Sequence, residues 1–195
     1  MFKIQTLNKI DPDGLKLFPL DNYEIASELP NPDAIVLRSF KMHDVEIPSS
    51  VKAVARAGAG VNNIPIDNCS EQGVVVFNTP GVNANAVKEL VIAGMLLSAR
   101  DIAGGTTFSG TLKGKGTAVP NLVEANKKLF AGQEIAGKTL GVIGLGKIGV
   151  MVANAAVDLG MDVVGNDPFI SVEAAWGLSR DVRRADGLDA LLAKV

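Results

Sequence analysis

The sequence predicts an α/β protein with parallel sheets and two domains. Two observations indicate this fold class. Short apolar runs alternate with polar or helix-like segments along the first part of the chain, as is typical of parallel strands joined by crossover helices. Further along, a strand, a glycine-rich turn, a helix and a second strand follow one another within roughly thirty residues, which is the length of one βαβ unit.

Five short segments in the first part of the chain predict strands. They cover residues Phe2–Leu7, Tyr23–Ala26, Ala34–Leu37, 51–55 and 74–77. Helical or loop segments are predicted between these strands, one of them over residues 66–72. This order predicts a flavodoxin-like or Rossmann-like domain over residues 1–84.

The second domain is predicted over residues 85–195. Residues 85–100 form a helix with apolar side chains on most faces, and such a helix is expected to be largely buried. Residues 104–138 are predicted to be a loop-rich connection. Strands over Thr139–Ile143 and 161–164 then enclose a helix over 148–159.

The glycine-rich turn between these two strands carries the clearest functional signal. Gly144, Gly146 and Gly149 have the spacing G-x-G-x-x-G. The first glycine permits a tight turn, the second lets a pyrophosphate approach the backbone, and the third lets the helix pack closely on the sheet. The helix that begins near Lys147 directs unpaired N–H groups at the phosphates. This pattern predicts a Rossmann dinucleotide-binding site.

An acidic residue at the end of the second strand predicts which dinucleotide binds. Asp167 follows Gly149 by eighteen residues. Its carboxylate can accept hydrogen bonds from the ribose hydroxyls and would repel a 2′-phosphate, so we expect NAD rather than NADP. The alternative is a tight turn in an unrelated α/β protein, with Asp167 as a helix cap.

Polar and cationic residues follow three strands of the first domain. They are Arg38, Ser39 and Lys41 after the third strand, Arg56–Asn62 after the fourth, and Asn78–Gly81 with Asn83 after the fifth. The carboxyl ends of parallel strands share one edge, so these groups suit a small acidic ligand with a carboxylate and a phosphate. Alternatively, Arg38 and Arg56 form ion pairs with nearby acids.

Composition argues against several other function classes. The net charge is −2 and no basic stripe is present, which disfavours nucleic-acid and membrane binding. The chain has a single cysteine, Cys69, and its N-terminus lacks the apolar core of a signal peptide. The expected location is therefore the cytoplasm.

Four segments together resemble one enzyme family. Arg56–Asn63, Phe77–Gly81, Ala86–Leu90 and Gly137–Gly149 occur in the order and spacing of the D-2-hydroxyacid dehydrogenases. The resemblance implies a substrate domain followed by an NAD-binding Rossmann domain. It also implies a homodimer built through the cofactor domain, or a tetramer. The implied reaction is oxidation of a D-2-hydroxy acid, with 3-phosphoglycerate as the favoured substrate.

The resemblance also implies roles for particular residues. Those matching the cofactor-binding positions are Gly144, Leu145, Gly146, Lys147, Ile148, Gly149, Asp167 and Ala59. Those matching the substrate-binding positions are Arg38, Ser39, Lys41, Gly58, Ala59, Gly60 and Asn83.

No catalytic residue is assigned within the sequence. In the family an arginine, a glutamate and a histidine perform catalysis, and the resemblance places all three beyond Val195. The third strand of the mononucleotide-binding half is also predicted to be absent, so the chain is expected to be truncated and inactive by itself. Two alternatives stay open: a non-catalytic, NAD-responsive protein of the corepressor type, and a dehydrogenase of an unphosphorylated 2-hydroxy acid.

Overall fold

The computed structural model describes residues 1–195 and consists of two compact units. Unit 1 comprises Met1–Asn83 and unit 2 comprises Ala84–Val195. Each unit has its own parallel sheet, so the α/β fold class is confirmed. None of the helices combines the length and the apolar character that crossing a bilayer requires.

Unit 1 contains a five-stranded parallel sheet. Its strands are β1 (Phe2–Leu7), β2 (Tyr23–Ala26), β3 (Ala34–Leu37), β4 (Ala53–Arg56) and β5 (Val75–Phe77), and its helices are α1 (Pro12–Leu15) and α2 (Ile66–Glu71). The strand order is β2-β1-β3-β4-β5, which is the flavodoxin-like order. All neighbouring strands are parallel, so the carboxyl ends of all five lie at one edge.

The core of unit 1 forms on β3 and β4. Ile35, Leu37 and Val54 are buried there together with Met42 and Cys69. Burial raises the pKa of the Cys69 thiol, as expected for a packed side chain. Three strands have the predicted bounds. The fourth begins later than predicted, because Val51 donates its N–H to the Pro48 carbonyl in a turn before the strand.

Unit 2 contains a three-stranded parallel sheet in the order β6-β7-β8. Its strands are β6 (Thr139–Ile143), β7 (Asp162–Asn166) and β8 (Arg183–Arg184). The prediction that the third strand is absent was wrong, because β8 pairs with β7 at Val164 and Gly165. This strand has two residues, both charged and exposed, and therefore lacks the apolar run that identifies a strand in sequence.

Six helices accompany this sheet. They are α3 (Ala84–Ala99), α4 (Ile102–Thr111), α5 (Val119–Asn126), α6 (Lys147–Asp158), α7 (Val172–Gly177) and α8 (Leu188–Leu192). Helix α6 lies between β6 and β7 and buries Val150, Ala153 and Ala156 against Val142 and Val163 of these strands. This packing fixes the position of the first turn of α6, which directly follows the glycine turn.

Residues 104–138, predicted to be a loop-rich connection, are largely helical, so that prediction was wrong. Besides α4 and α5, two 3₁₀ turns span Gly116–Ala118 and Lys127–Phe130. A side-chain cap explains where α4 begins in this glycine- and threonine-rich stretch. The Asp101 carboxylate accepts a hydrogen bond from Gly104 N–H at 2.8 Å. Inside the helix, the Thr106 hydroxyl donates to the Ile102 carbonyl at 2.9 Å and so satisfies its own polar group.

Helix α3 was predicted to be largely buried, but its surface is mostly exposed. Ala84 is its only buried residue. The helix packs against α6, yet Leu90 remains 72% exposed and Leu97 51% exposed. Apolar side chains surround this helix on most sides, whereas a single neighbouring helix covers only one of them.

Candidate functional site

The glycine turn of unit 2 has the geometry that its spacing predicts. Gly144 has φ of 87°, in the left-handed region that glycine adopts without steric cost. A Cβ at Gly149 would collide with the Gly144 carbonyl oxygen. The absence of a side chain at Gly149 therefore allows α6 to pack close to the end of β6. A Cβ at Gly146 would meet no atom within 4 Å. That open face is where a bulky ligand group could lie against the backbone.

The first turn of α6 presents free N–H donors at this face. Gly146 is the N-cap residue and provides no side-chain cap. The first intrahelical bond runs from Val150 N–H to the Gly146 carbonyl at 3.0 Å, so the preceding N–H groups have no helical partner. Lys147 and Ile148 are exposed beside them. Such a helix end attracts a phosphate through both hydrogen bonding and the helix dipole.

Asp167 ties the end of β7 to the glycine turn. Its Oδ2 accepts a hydrogen bond from Leu145 N–H at 2.8 Å, and its Oδ1 accepts one from Phe169 N–H at 2.8 Å. Leu145 thus uses its N–H within the protein and buries its side chain, which leaves it no free donor for a cofactor. Asp167 is not a helix cap, because Ser171 caps α7.

A cavity of about 370 Å³ lies beside this carboxylate. Asp167, Asn166, Ile170 and Arg184 are among its lining residues. Each oxygen of the Asp167 carboxylate already accepts one N–H, which fixes the orientation of the group, and each retains a further lone pair. The arrangement can therefore accept hydroxyl donors from a ligand in this cavity.

A second site lies at the carboxyl edge of the unit 1 sheet. A cavity of about 750 Å³ there is lined by Lys9, Ile10, Asp11, Gly14, Arg38, Ser39, Arg56, Ala57, Gly58, Ala59, Gly60, Thr79, Val82 and Asn83. The structure thus brings together the residues predicted for substrate binding, with the exception of Lys41, which is exposed outside this wall.

The cavity includes residues that the sequence reasoning missed. Lys9 and Asp11 follow the first strand, whose end was not considered among the strand ends. A signal for them was present, since the rule that parallel strands end at one edge applies to β1 as well.

The two arginines of this cavity have different environments. Arg56 is half-buried and donates Nε to the Arg38 carbonyl at 2.9 Å and Nη1 to the Gly60 carbonyl. Arg38 is exposed, and its guanidinium makes neither a hydrogen bond nor an ion pair. The alternative that both arginines form ion pairs with acids was therefore wrong. Arg56 shapes the loop, and Arg38 is free to bind a ligand.

The loop after β4 offers backbone donors. The Asn78 amide donates to the Ala59 carbonyl at 2.7 Å, and Thr79 N–H donates to the Gly58 carbonyl at 2.9 Å. These bonds use carbonyl oxygens, whereas the N–H groups of Ala59 and Gly60 donate to no protein atom. Free N–H groups beside Arg38 suit a carboxylate ligand.

Comparison with known sequences supports one family. The model of the family "D-isomer specific 2-hydroxyacid dehydrogenase, catalytic domain" matches residues 4–175. D-3-phosphoglycerate dehydrogenase of Methanocaldococcus jannaschii is 33% identical over 188 residues, which cover 90% of this chain and 34% of that protein. The enzyme of the same name from Archaeoglobus fulgidus is 39% identical and covers 87% and 30%. Hydroxypyruvate reductase of Thermotoga maritima is 38% identical and covers 76% and 46%.

Solved structures show the same architecture. The NAD⁺-bound 3-phosphoglycerate dehydrogenase of Entamoeba histolytica superposes with a TM-score of 0.66 at 25% identity, covering 99% of this chain and 60% of that one. The apo D-mandelate dehydrogenase of Rhodotorula graminis has a TM-score of 0.74 at 22% identity and supports the fold alone, covering 99% and 63%. The chain spans about a third of the two phosphoglycerate dehydrogenases named above. It belongs to the family of D-isomer specific 2-hydroxyacid dehydrogenases.

Proposed function

We propose that this chain provides the NAD-binding and substrate-binding residues of an NAD-dependent D-2-hydroxyacid dehydrogenase. The observation that carries the proposal is the glycine turn: Gly146 is open to a ligand, and the first N–H groups of α6 have no partner. These residues would hold NAD⁺, which would supply the hydride acceptor for oxidation of a 2-hydroxy acid to a 2-oxo acid, with NADH and a proton as the other products.

The residues of unit 2 would hold the dinucleotide through its phosphates and ribose. N–H groups at Gly146, Lys147 and Ile148 would bind the pyrophosphate. Asp167 would accept hydrogen bonds from the adenosine ribose and repel a 2′-phosphate, which favours NAD over NADP. Gly144 and Gly149 would act by shaping the turn rather than by direct contact.

The residues of unit 1 would bind the acid. We propose 3-phosphoglycerate as the substrate and 3-phosphohydroxypyruvate as the product, a step of serine biosynthesis. Arg38 supports this because it is a free cation in the cavity wall, beside Ser39 and the N–H groups of Ala59 and Gly60. Asn83 lines the same cavity. The names of the Methanocaldococcus and Archaeoglobus relatives point in the same direction.

We assign no proton-transfer residue within this chain. Its sole histidine, His43, lies outside the cavity wall, and its Nε2 is 3.0 Å from the Asn62 carbonyl oxygen. The chain by itself is therefore expected to bind ligand without turnover.

A second candidate keeps the chemistry and changes the substrate to an unphosphorylated 2-hydroxy acid. The observation that favours it is the 38% identity to a relative named hydroxypyruvate reductase. The two candidates differ in whether the enzyme requires a phosphate on the substrate.

The test uses the full-length gene product with NAD or NADP, and with 3-phosphoglycerate or D-glycerate. We expect NADH formation with 3-phosphoglycerate and a strong preference for NAD. Asp167→Ala should weaken NAD binding and reduce the preference over NADP, because it removes the carboxylate that repels a 2′-phosphate. Asp158→Ala, on an exposed position of α6, is the matched control. Equal use of both dinucleotides by the wild type, or NAD binding unchanged in Asp167→Ala, would contradict the proposal.

We also propose that the enzyme is a homodimer formed through unit 2. Leu90 and Leu97 of α3 are more than half exposed, and covering them by a second copy would remove apolar area from water. Light scattering of the full-length gene product measures the oligomeric state.

A further inference from the structure

The end of the first strand lies beside the end of the third. Strands β1 and β3 are paired in parallel, with Leu7 opposite Leu37. Asn8 follows with φ of 76°, and its Oδ1 accepts hydrogen bonds from Ser39 N–H at 3.1 Å and Phe40 N–H at 2.5 Å. This amide connects the two strand ends, so Lys9 leaves the sheet next to the segment that carries Arg38.

Lys9 and Arg38 are both cations without an ion-pair partner. Both line the 750 Å³ cavity, both are exposed, and neither lies within ion-pair distance of a carboxylate. Asp11 is the one acid in the wall, and its Oδ1 accepts a hydrogen bond from Asp13 N–H at 2.8 Å, which commits that oxygen to the start of α1. The wall therefore has an excess of unpaired positive charge.

A single free cation is sufficient for a ligand with one carboxylate. A phosphorylated hydroxy acid carries about 1.5 to 2 further negative charges at neutral pH, and it presents three more acceptor oxygens. Two of the five N–H donors of Arg56 are engaged by the Arg38 and Gly60 carbonyl oxygens, which fixes its guanidinium in the loop. Besides Arg38, Lys9 is the cation in the wall that has no hydrogen-bond or ion-pair partner in the protein.

We propose that Lys9 determines specificity for a phosphorylated 2-hydroxy acid by binding the substrate phosphate together with Arg38. This inference rests on the proposed dehydrogenase function and adds a residue to its substrate site. Lys41, which the family resemblance had placed among the substrate-binding residues, lies outside this cavity wall, whereas Lys9 lines it.

The experiment measures KM for 3-phosphoglycerate and for D-glycerate in the full-length gene product. Lys9→Ala should raise KM for 3-phosphoglycerate by about tenfold, as expected for loss of one charge-assisted hydrogen bond, and change KM for D-glycerate by less than about twofold. Lys9→Arg should restore most of the loss, because the positive charge is kept. Lys16→Ala removes an equal charge from the exposed surface of the same segment and should change neither constant.

Other outcomes would overturn the inference. Equal effects of Lys9→Ala on both substrates, or no effect on either, would mean that Lys9 does not bind the phosphate. If the wild type oxidised neither acid, the proposed function would fail, and titration with inorganic phosphate would then decide the role of Lys9. Weaker phosphate binding by Lys9→Ala than by the wild type would support that role, whereas equal binding, or none by the wild type, would refute it.

Discussion

The glycine turn of unit 2 and the cavity of unit 1 are built from different chemical groups. The turn offers backbone N–H groups around positions where a side chain is absent, and six consecutive residues supply most of it. The cavity offers cationic side chains and a loop held by hydrogen bonds, and the ends of several strands supply them. A backbone site should be sensitive to added atoms, whereas a side-chain site should be sensitive to lost charge.

The largest effect is expected at the glycine turn, where two alanine substitutions separate shape from binding. Gly149→Ala places a Cβ against the Gly144 carbonyl oxygen, so it should lower the free energy of unfolding by about 3 kcal/mol. Gly146→Ala adds the same atom in open space and should leave stability unchanged while weakening NAD binding by more than about tenfold. Urea unfolding and NAD titration measure the two quantities. Equal stability of the two variants would show that the close approach at Gly149 is not required.

The intermediate effect separates the two arginines of the cavity. Arg56→Met removes the hydrogen bonds to the Arg38 and Gly60 carbonyls, so it should cost about 1–2 kcal/mol of stability. Arg38→Ala removes a guanidinium without protein partners and should change stability by less than about 0.5 kcal/mol. It should nevertheless weaken binding of 3-phosphoglycerate more than binding of D-glycerate. If Arg38→Ala weakened both acids equally, Arg38 would not bind the phosphate.

The smallest effect concerns a carboxylate of unit 1 away from the cavity. A hydrogen bond from Lys3 N–H at 2.9 Å, together with Lys52 Nζ at 3.1 Å, holds the pKa of Asp33 below its ordinary value. A lowered folded-state pKa stabilises the protein above the unfolded value of about 3.9, and this contribution is lost as pH falls through the folded value.

The Asp33→Asn substitution tests this pH dependence. The variant should be less stable than wild type at pH 7, and the difference should shrink under acid, as measured by urea unfolding across that range. The control is Asp21→Asn, which removes an exposed carboxylate that has no hydrogen-bond or ion-pair partner. A stability difference that did not depend on pH would contradict the role of the Asp33 charge.

Sequence reasoning succeeded where a local pattern dominates. The bounds of β1, β2, β3 and β6 are those predicted, because each is a short segment in which apolar residues either alternate with polar ones or form a continuous run. It failed where tertiary contacts or capping decide. β8 exists because it pairs with β7, although its two arginines carry no strand pattern.

Two predictions for unit 2 were wrong for different reasons: the loop predicted after α3, and the burial predicted for α3 itself. The Asp101 carboxylate caps the start of α4 and favours a helix in a glycine-rich segment of low helix propensity. An apolar composition predicts that a helix packs against another surface, but it does not identify that surface. Within this chain, Leu90 remains exposed.

The amino-acid sequence by itself determined the α/β class, the glycine turn with Asp167, and the family. Each of these depends on the spacing of residues within short segments, and that spacing directly constrains the local backbone. Only the tertiary structure determined which cations line the cavity and have no partner in the protein. Lys9 and Arg38 are far apart in sequence, and it is the parallel pairing of β1 with β3 and the Asn8 amide that bring their segments together. Hydrogen bonds to the Arg38 and Gly60 carbonyl oxygens occupy the Arg56 guanidinium, whereas that of Arg38 has no partner in the protein. Both arginines follow or end a strand in the sequence, so the sequence does not distinguish them.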